Sequence, residues 1–259
     1  YNDDEDAWYY ADGSGNLYAG EFKTIKGKKY AFRNDGRMVN GLKFIKKDST
    51  GLTVVADDDS RNGYNFDTED DFIDNAITTF LPGGYDCYYF GGSEDGAMKT
   101  NKANITIDGD SFNFYFEKSG SNKGAGVTGE KDDKYYLAGM LVKAGSDEKY
   151  QVVKKSTVNG KTVCKKLDDA AAFKAAIGAA NTTDALANKS GSEKVTIGDV
   201  TKKAEDLKEA WTVNTPSDSY FLVNTSGTVI DKKSKSKDGD DYVFVTDRNG
   251  KIVGVYVED

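Results

Sequence analysis

The sequence predicts a mainly β protein of stacked β-hairpin repeats, solenoid-like in order, with α-helical insertions that make it α+β overall. Three observations carry this. Short aromatic strands recur, each followed by a polar turn, a glycine and a second short strand. The composition is turn-rich: of 259 residues 28 are glycine, and 37% are hydrophobic against 30% charged, as expected for many short strands over thin cores. Two stretches interrupt the hairpins with patterns that suit helices.

The opening segment shows the repeat. "AWYYADGSGNLYAG" (7–20) and "KKYAFRNDGRMVNG" (28–41) superimpose Tyr9 on Tyr30, Gly15 on Gly36, Leu17 on Met38 and Gly20 on Gly41. Glycine and asparagine supply the positive φ that tight hairpin loops require. Alternation puts Trp8 and Tyr10 on one strand face and Tyr9 on the other. Five further stretches follow the pattern: 87–101, 114–124, 134–140, 220–230 and 241–254. An isolated hairpin is marginal in water, so the units are expected to stack and bury one face. Tyr9, Tyr30, Phe32, Tyr89, Phe116 and Tyr136 are read as that stacking core.

The stretch "WYYADGSGNLYAGEFKTIKGKKYAFRNDGRMVNG" resembles the cell-wall-binding repeats, of choline-binding and glucan-binding type, of secreted bacterial proteins. It is similar also to the repeat regions of large glucosylating toxins, where G-x-x-x-I-x-G-K-x-Y-x-F recurs. The match is good over residues 8–45, looser over 85–155, and recovers over 217–255. The resemblance implies hairpins stacked into a solenoid, with ligands in shallow aromatic slots between neighbours. It therefore implies non-catalytic attachment to cell-surface or wall polysaccharide. The choline-binding pattern places Gly-Trp after the second strand, whereas here Glu21-Phe22 follow Gly20 and Leu42 follows Gly41. A quaternary ammonium ion needs several ring faces around it, and Leu42 offers none, so a neutral sugar is the expected ligand.

The same reading divides the chain into N-terminal hairpins (1–45), a strand–helix insertion (46–82), middle hairpins (83–159), a helical insertion (160–216) and C-terminal hairpins (217–259). In the first insertion "GLTVVADDD" reads as a strand and "DTEDDFIDNAITTF" as a helix capped at Asp67 or Thr68, ending before Pro82. In the second, "LDDAAAFKAAIGAA" is a helix from about Asp168. "GDVTKKAEDLKEAW" is read as another, on the spacing of Val200, Ala204, Leu207 and Trp211, with Trp211 in the core and the polar stretch between them as loop. Without this insertion the strands "KYQVVKKSTVNGK" and "YFLVNTSGTV" would pair directly.

The candidate sites follow from chemistry. Trp8, Tyr10 and Phe22 are the expected stacking platforms for sugar rings. "DDSRNGYNFDTE" (58–69) fits a calcium-loop spacing, with Asp58, Ser60, Asn62, the Tyr64 carbonyl and Glu69 as ligands and Gly63 at the sharp turn; an acidic helix-capping loop is the competing reading. Cys164 lies among lysines that would lower its pKa, yet without histidine neither a cysteine protease nor a usual zinc site can be assembled. Whether Cys87 and Cys164 pair or remain thiols stays open. No nucleophile elbow or phosphate-binding glycine loop is present, and no motif singles out a carboxylate pair, so a binding protein rather than an enzyme is expected.

A net charge of −8 argues against nucleic acid, which requires a basic face. No apolar run approaches the roughly 20 residues of a membrane span. The chain begins at Tyr1 rather than Met, which suggests a mature or trimmed fragment; the resemblance implies a secreted protein of the bacterial cell surface or wall, and "LPGGY" (81–85) lacks the threonine of a sortase site. The competing functional reading is a structural spacer or adhesin whose rings serve only packing between repeats.

Overall fold

The computed structural model describes residues 7–54, 66–92 and 95–259. The chain forms two compact units, one within residues 1–129, 136–141 and 158–161, the other from 130–135, 142–157 and 162–259. Antiparallel strands dominate both, and the described residues hold two short α-helices.

The recurring element is a hairpin whose two strands meet six residues apart. Ala11 bridges Leu17, Phe32 bridges Met38, and Val223 bridges Val229, while Thr246 stands opposite Ile252. The turns close alike. The N–H groups of Asp12, Arg33, Asn224 and Asp247 each donate to the carbonyl four residues on, and the glycine at the fourth turn position donates back to the first residue. Those glycines, Gly15, Gly36, Gly227 and Gly250, have φ of 85°, 88°, 76° and 72°, backbone that disfavours any residue with a Cβ. Asp12, Asn224 and Asp247 add a side-chain lock, Oδ1 accepting from the N–H groups two and four residues on. Asp and Asn are favoured at such turns because the short side chain reaches its own backbone.

A further copy is hidden from any search for glycine. Lys237 stands opposite Val243, Asp238 donates to the Tyr242 carbonyl, and its carboxylate accepts from Asp240 and Tyr242. Asp241 takes the glycine's place at φ 69°, a conformation that Asp tolerates better than most.

In the first unit, Glu21–Ile25 pairs with Lys28–Phe32, and Leu42–Asp48 lies between Gly51–Val54 and Asp86–Tyr89. The expected helix forms over Glu69–Asn75. Thr68 is its cap, accepting from Asp71 N–H, and Glu69, Asp70 and Asp71 fill the first turn. It runs on as a π-helical turn over Ala76–Phe80. Phe72 and Phe80 lie with ring centroids 5.6 and 4.4 Å from Phe44, which anchors the helix to the sheet. Asn101–Ile107 and Asp110–Phe116 pair along their whole length.

The second unit centres on a five-stranded sheet in the order Thr182–Asp184, Leu207–Val213, Ile252–Glu258, Val243–Thr246, Ser234–Lys237. Tyr150 to Lys154 pair with Tyr220–Asn224, the direct pairing expected of the strands on either side of the insertion. Asp169 caps the helix Ala170–Ile177, accepting from Ala172 N–H at 2.6 Å. The helix expected from Asp199 to Trp211 does not form. That stretch is a strand, Val200–Lys203, one 3-10 turn, and a second strand, Leu207–Val213. The i, i+4, i+7, i+11 spacing of Val200, Ala204, Leu207 and Trp211 arose from two strands and a turn that bury the same side chains. Tertiary pairing decides here, because Leu207–Val213 lies between two partners and gains ladder bonds on both edges. Trp211 is core as expected, 1% exposed against Phe173 and Phe244. The polar stretch 181–194, expected as loop, contains the strand Thr182–Asp184 and ends at the first residue of the strand Lys194–Ile197.

Candidate functional site

Hairpins of the first unit stack by one repeated rule. The Met38 N–H donates to the Trp8 carbonyl, Met98 to Lys29, and Gly126 to Cys87, at 2.8, 2.8 and 2.7 Å. Trp8 and Lys29 each lie three positions before the bridging strand residue of their own hairpin, Ala11 and Phe32. The turn glycine of each following hairpin then sits on the apolar residue of the preceding one. A Cβ on Gly36 would lie 3.7 Å from Leu17, while one on Gly96 or Gly124 would collide with Met38 or Met98. The spacing of glycine and apolar residue that marks the repeat in the sequence is therefore the packing contact between neighbours.

This stacking leaves an open cavity of about 400 Å³ beside the first two hairpins, lined by Trp8, Tyr10, Tyr30, Phe32 and Met38, with Lys28 and Asp95 at its polar side. Trp8 and Tyr10 are 54% and 41% exposed. Tyr10 stacks on Tyr18 at 5.9 Å with 7° between planes, and Tyr18 leans on buried Phe32 at 5.8 Å. The Tyr10 ring is thus braced from behind while one side stays open. Asp95 pairs with Lys99, and the hydrogen bond from Lys99 holds its carboxyl below the usual range. Two stacked rings beside a fixed carboxylate and an ammonium can hold a polyhydroxylated ring by face contact and hydrogen bonds.

Two of the three expected platforms, Trp8 and Tyr10, share this cavity. Phe22 does not. It packs against Tyr88 at 5.2 Å, and the Lys29 ammonium lies 4.9 Å from its centroid. Among the expected core rings, Phe32, Phe116 and Tyr136 are buried, whereas Tyr9 is 47% exposed. Tyr9 was assigned to the core by strand alternation, but the strand it would need is reduced to the single bridge at Ala11. Tyr18, which braces the site, was missed; its signal was the aromatic directly after Leu17.

Asp58, Ser60, Asn62 and Tyr64 of the expected calcium loop lie outside the described residues, and Glu69 is the first residue of a helix. Among the described residues, no three His, Cys, Asp or Glu side chains gather to hold a metal. Cys87 and Cys164 are both buried free thiols. Burial pushes Cys164 up to about 12, outweighing Lys155, so the activating effect expected of its basic neighbours is reversed. A thiol held protonated in this way is unreactive.

No family model and no curated protein matches the chain. Among solved structures it is similar to choline binding protein F from Streptococcus pneumoniae, with a TM-score of 0.39 and 16% identity over 95% of this chain and 44% of that one. It is similar also to the pneumococcal cell wall endolysin from phage Cp-1 complexed with choline, with a TM-score of 0.26 and 15% identity, covering 65% and 36%. Alternansucrase in complex with isomaltononaose gives a TM-score of 0.23 and 15% identity, covering 95% and 14%. This chain spans less than half the length of each. At such scores the likeness carries no argument.

Proposed function

We propose that the chain binds bacterial cell-wall or cell-surface polysaccharide without chemistry, through the aromatic cavity beside its first two hairpins. One observation carries the reading: among the described residues Trp8, Tyr9 and Tyr10 are the large rings left exposed, and all three line one cavity with polar groups at its edge. Exposed aromatic surface of this kind marks interaction sites. A neutral sugar suits the cavity better than a quaternary ammonium ion, because the Lys26 and Lys28 ammonium groups line it against the single carboxylate of Asp95. Localisation at the bacterial surface, after secretion, belongs to the same proposal.

The test is retention on insoluble bacterial cell walls and on an α-glucan, with free choline and EDTA as competitors. The reading expects retention on at least one solid, weakened by Trp8→Ala and indifferent to choline. Release by EDTA would point to the 58–69 segment as a calcium loop. A second reading has support of its own from Phe22, which is covered by Tyr88 and Lys29: rings used for packing alone, in a spacer or protein-binding adhesin. Retention on neither solid favours it.

A further inference from the structure

The second unit holds an open cavity of about 580 Å³ between its strands and the turns at 228–231 and 249–251. On one wall the Tyr135 and Phe221 rings meet with centroids 4.9 Å apart. The Lys155 ammonium lies over both, 4.6 Å from the Tyr135 centroid and 4.7 Å from that of Phe221. A cation within about 6 Å of a ring face is attracted by its quadrupole, and the two tilted rings here form a corner, called a cage below, that one ammonium touches on both faces.

The cage is built to hold its shape. Tyr135 donates from its hydroxyl to Glu130 at 3.2 Å, Lys134 is tied to the Ser226 carbonyl at 2.6 Å, and the Tyr135 carbonyl accepts from Val142 N–H. Around it the field is negative. Glu130, Asp133, Asp218 and Asp231 line the cavity, against Lys155 and Lys251, and Lys251 pairs with Asp218 at 3.3 Å. Rings and carboxylates together select cations, and the chain supplies one itself.

We propose that Lys155 is a specificity determinant: its ammonium occupies the Tyr135–Phe221 cage and closes this cavity to organic ammonium ligands, which the cage would otherwise bind. This goes beyond the polysaccharide reading and does not rest on it, because it concerns a different cavity and a different class of ligand. The device recurs in the first unit, where Lys23 and Lys29 cover single faces of Tyr18 and Phe22.

The experiment titrates tetramethylammonium into the wild-type chain and Lys155→Ala, following ring-proton shifts by NMR, with tert-butanol as an uncharged probe of similar shape. Lys155 is half-buried on Tyr150–Val158, the middle strand of a three-stranded sheet, and thermal unfolding checks that the variant is folded. The expected result is saturable binding by Lys155→Ala, at least about ten-fold tighter than by wild type, with tert-butanol binding neither. Equal affinity in the two chains overturns the proposal. So does a folded variant that binds no tetramethylammonium, or one that takes tert-butanol as readily. An independent measurement needs no destabilising change: after reductive methylation of the native chain, the Nζ-methyl signal that is absent from Lys155→Arg is expected upfield of ordinary dimethyl-lysine. An unshifted signal would overturn the cage itself.

Discussion

The N–H of Met38 donates to the carbonyl of Trp8 across the interface of two successive hairpins. The same bond joins Met98 to Lys29 and Gly126 to Cys87, so the stack is a repeated backbone contact rather than a general apolar collapse. It also positions the site. The hydrogen bond fixes Trp8 at the backbone while its ring projects into the open cavity, where a ligand can reach it.

The stacking rule separates glycines that look alike in the sequence. Gly15 has φ 85° and open space around it, whereas Gly96 has φ 61° and the Met38 side chain against it. Gly15→Ala is expected to cost about 1–2 kcal/mol for left-handed backbone alone. Gly96→Ala should cost up to about 1 kcal/mol more, because the flexible end of Met38 must swing aside. Urea unfolding of the two variants, and of Gly96→Ala with Met38→Ala, measures this; the double variant should recover part of the loss.

The two tryptophans should part company. Trp211 is 1% exposed in the core of the second unit, so Trp211→Ala is expected to lose about 3–5 kcal/mol. Trp8→Ala removes an exposed ring and should stay within about 0.5 kcal/mol of wild type in stability while weakening retention on polysaccharide. Equilibrium unfolding beside the pull-down checks both halves.

Burial of Lys43, with Arg33 nearby, lowers its pKa from the ordinary 10.5 to about 8. Between those values the unfolded chain holds the proton that the folded chain has released. Stability should therefore rise with pH from about 8 to 10.5, with no contribution from this group to the slope below that window. Denaturant unfolding across the range should show the rise, and Lys43→Met should remove it.

Asp238 gives the opposite slope. Burial, reinforced by the nearby Asp240 and Glu148 carboxylates, raises it from 3.8 to about 6 against the backbone hydrogen bonds it accepts. The folded chain keeps the proton longer than the unfolded chain, so this contribution to stability is full below about 3.8 and is lost as pH rises to about 6. Asn224 fills the equivalent turn position and accepts the same two N–H groups. Asp238→Asn should therefore keep the turn, flatten the slope, and stabilise at pH 7 by about 1–2 kcal/mol. Thermal melts at pH 4 and pH 7 are the check.

Much of this architecture was legible because each turn carries its own chemistry. Gly15, Gly36, Gly227 and Gly250 mark positions where the backbone admits little else, and Thr68 and Asp169 mark the helix starts. The Asp238 turn escaped because Asp241 stands where the others have glycine. Leu207–Val213 was mistaken for helix because a central strand flanked by a turn can place buried residues at helical spacing. Strand alternation separates Tyr9 from Trp8 and Tyr10, yet all three line the one cavity, because this segment pairs only through the bridge at Ala11. Phe22 was not separable from them, since its cover comes from Tyr88, a partner far along the chain.

The central claim, that Trp8 meets the ligand, is tested most directly by tryptophan emission. The chain has two tryptophans, and Trp211 is buried in the other unit, so a change on adding soluble fragments of whichever polysaccharide retains the chain reports on Trp8. The expected result is a saturable blue shift in the wild-type chain that is absent from Trp8→Phe. A chain that binds the fragments with no change in emission, or with the same change in Trp8→Phe, would contradict the account.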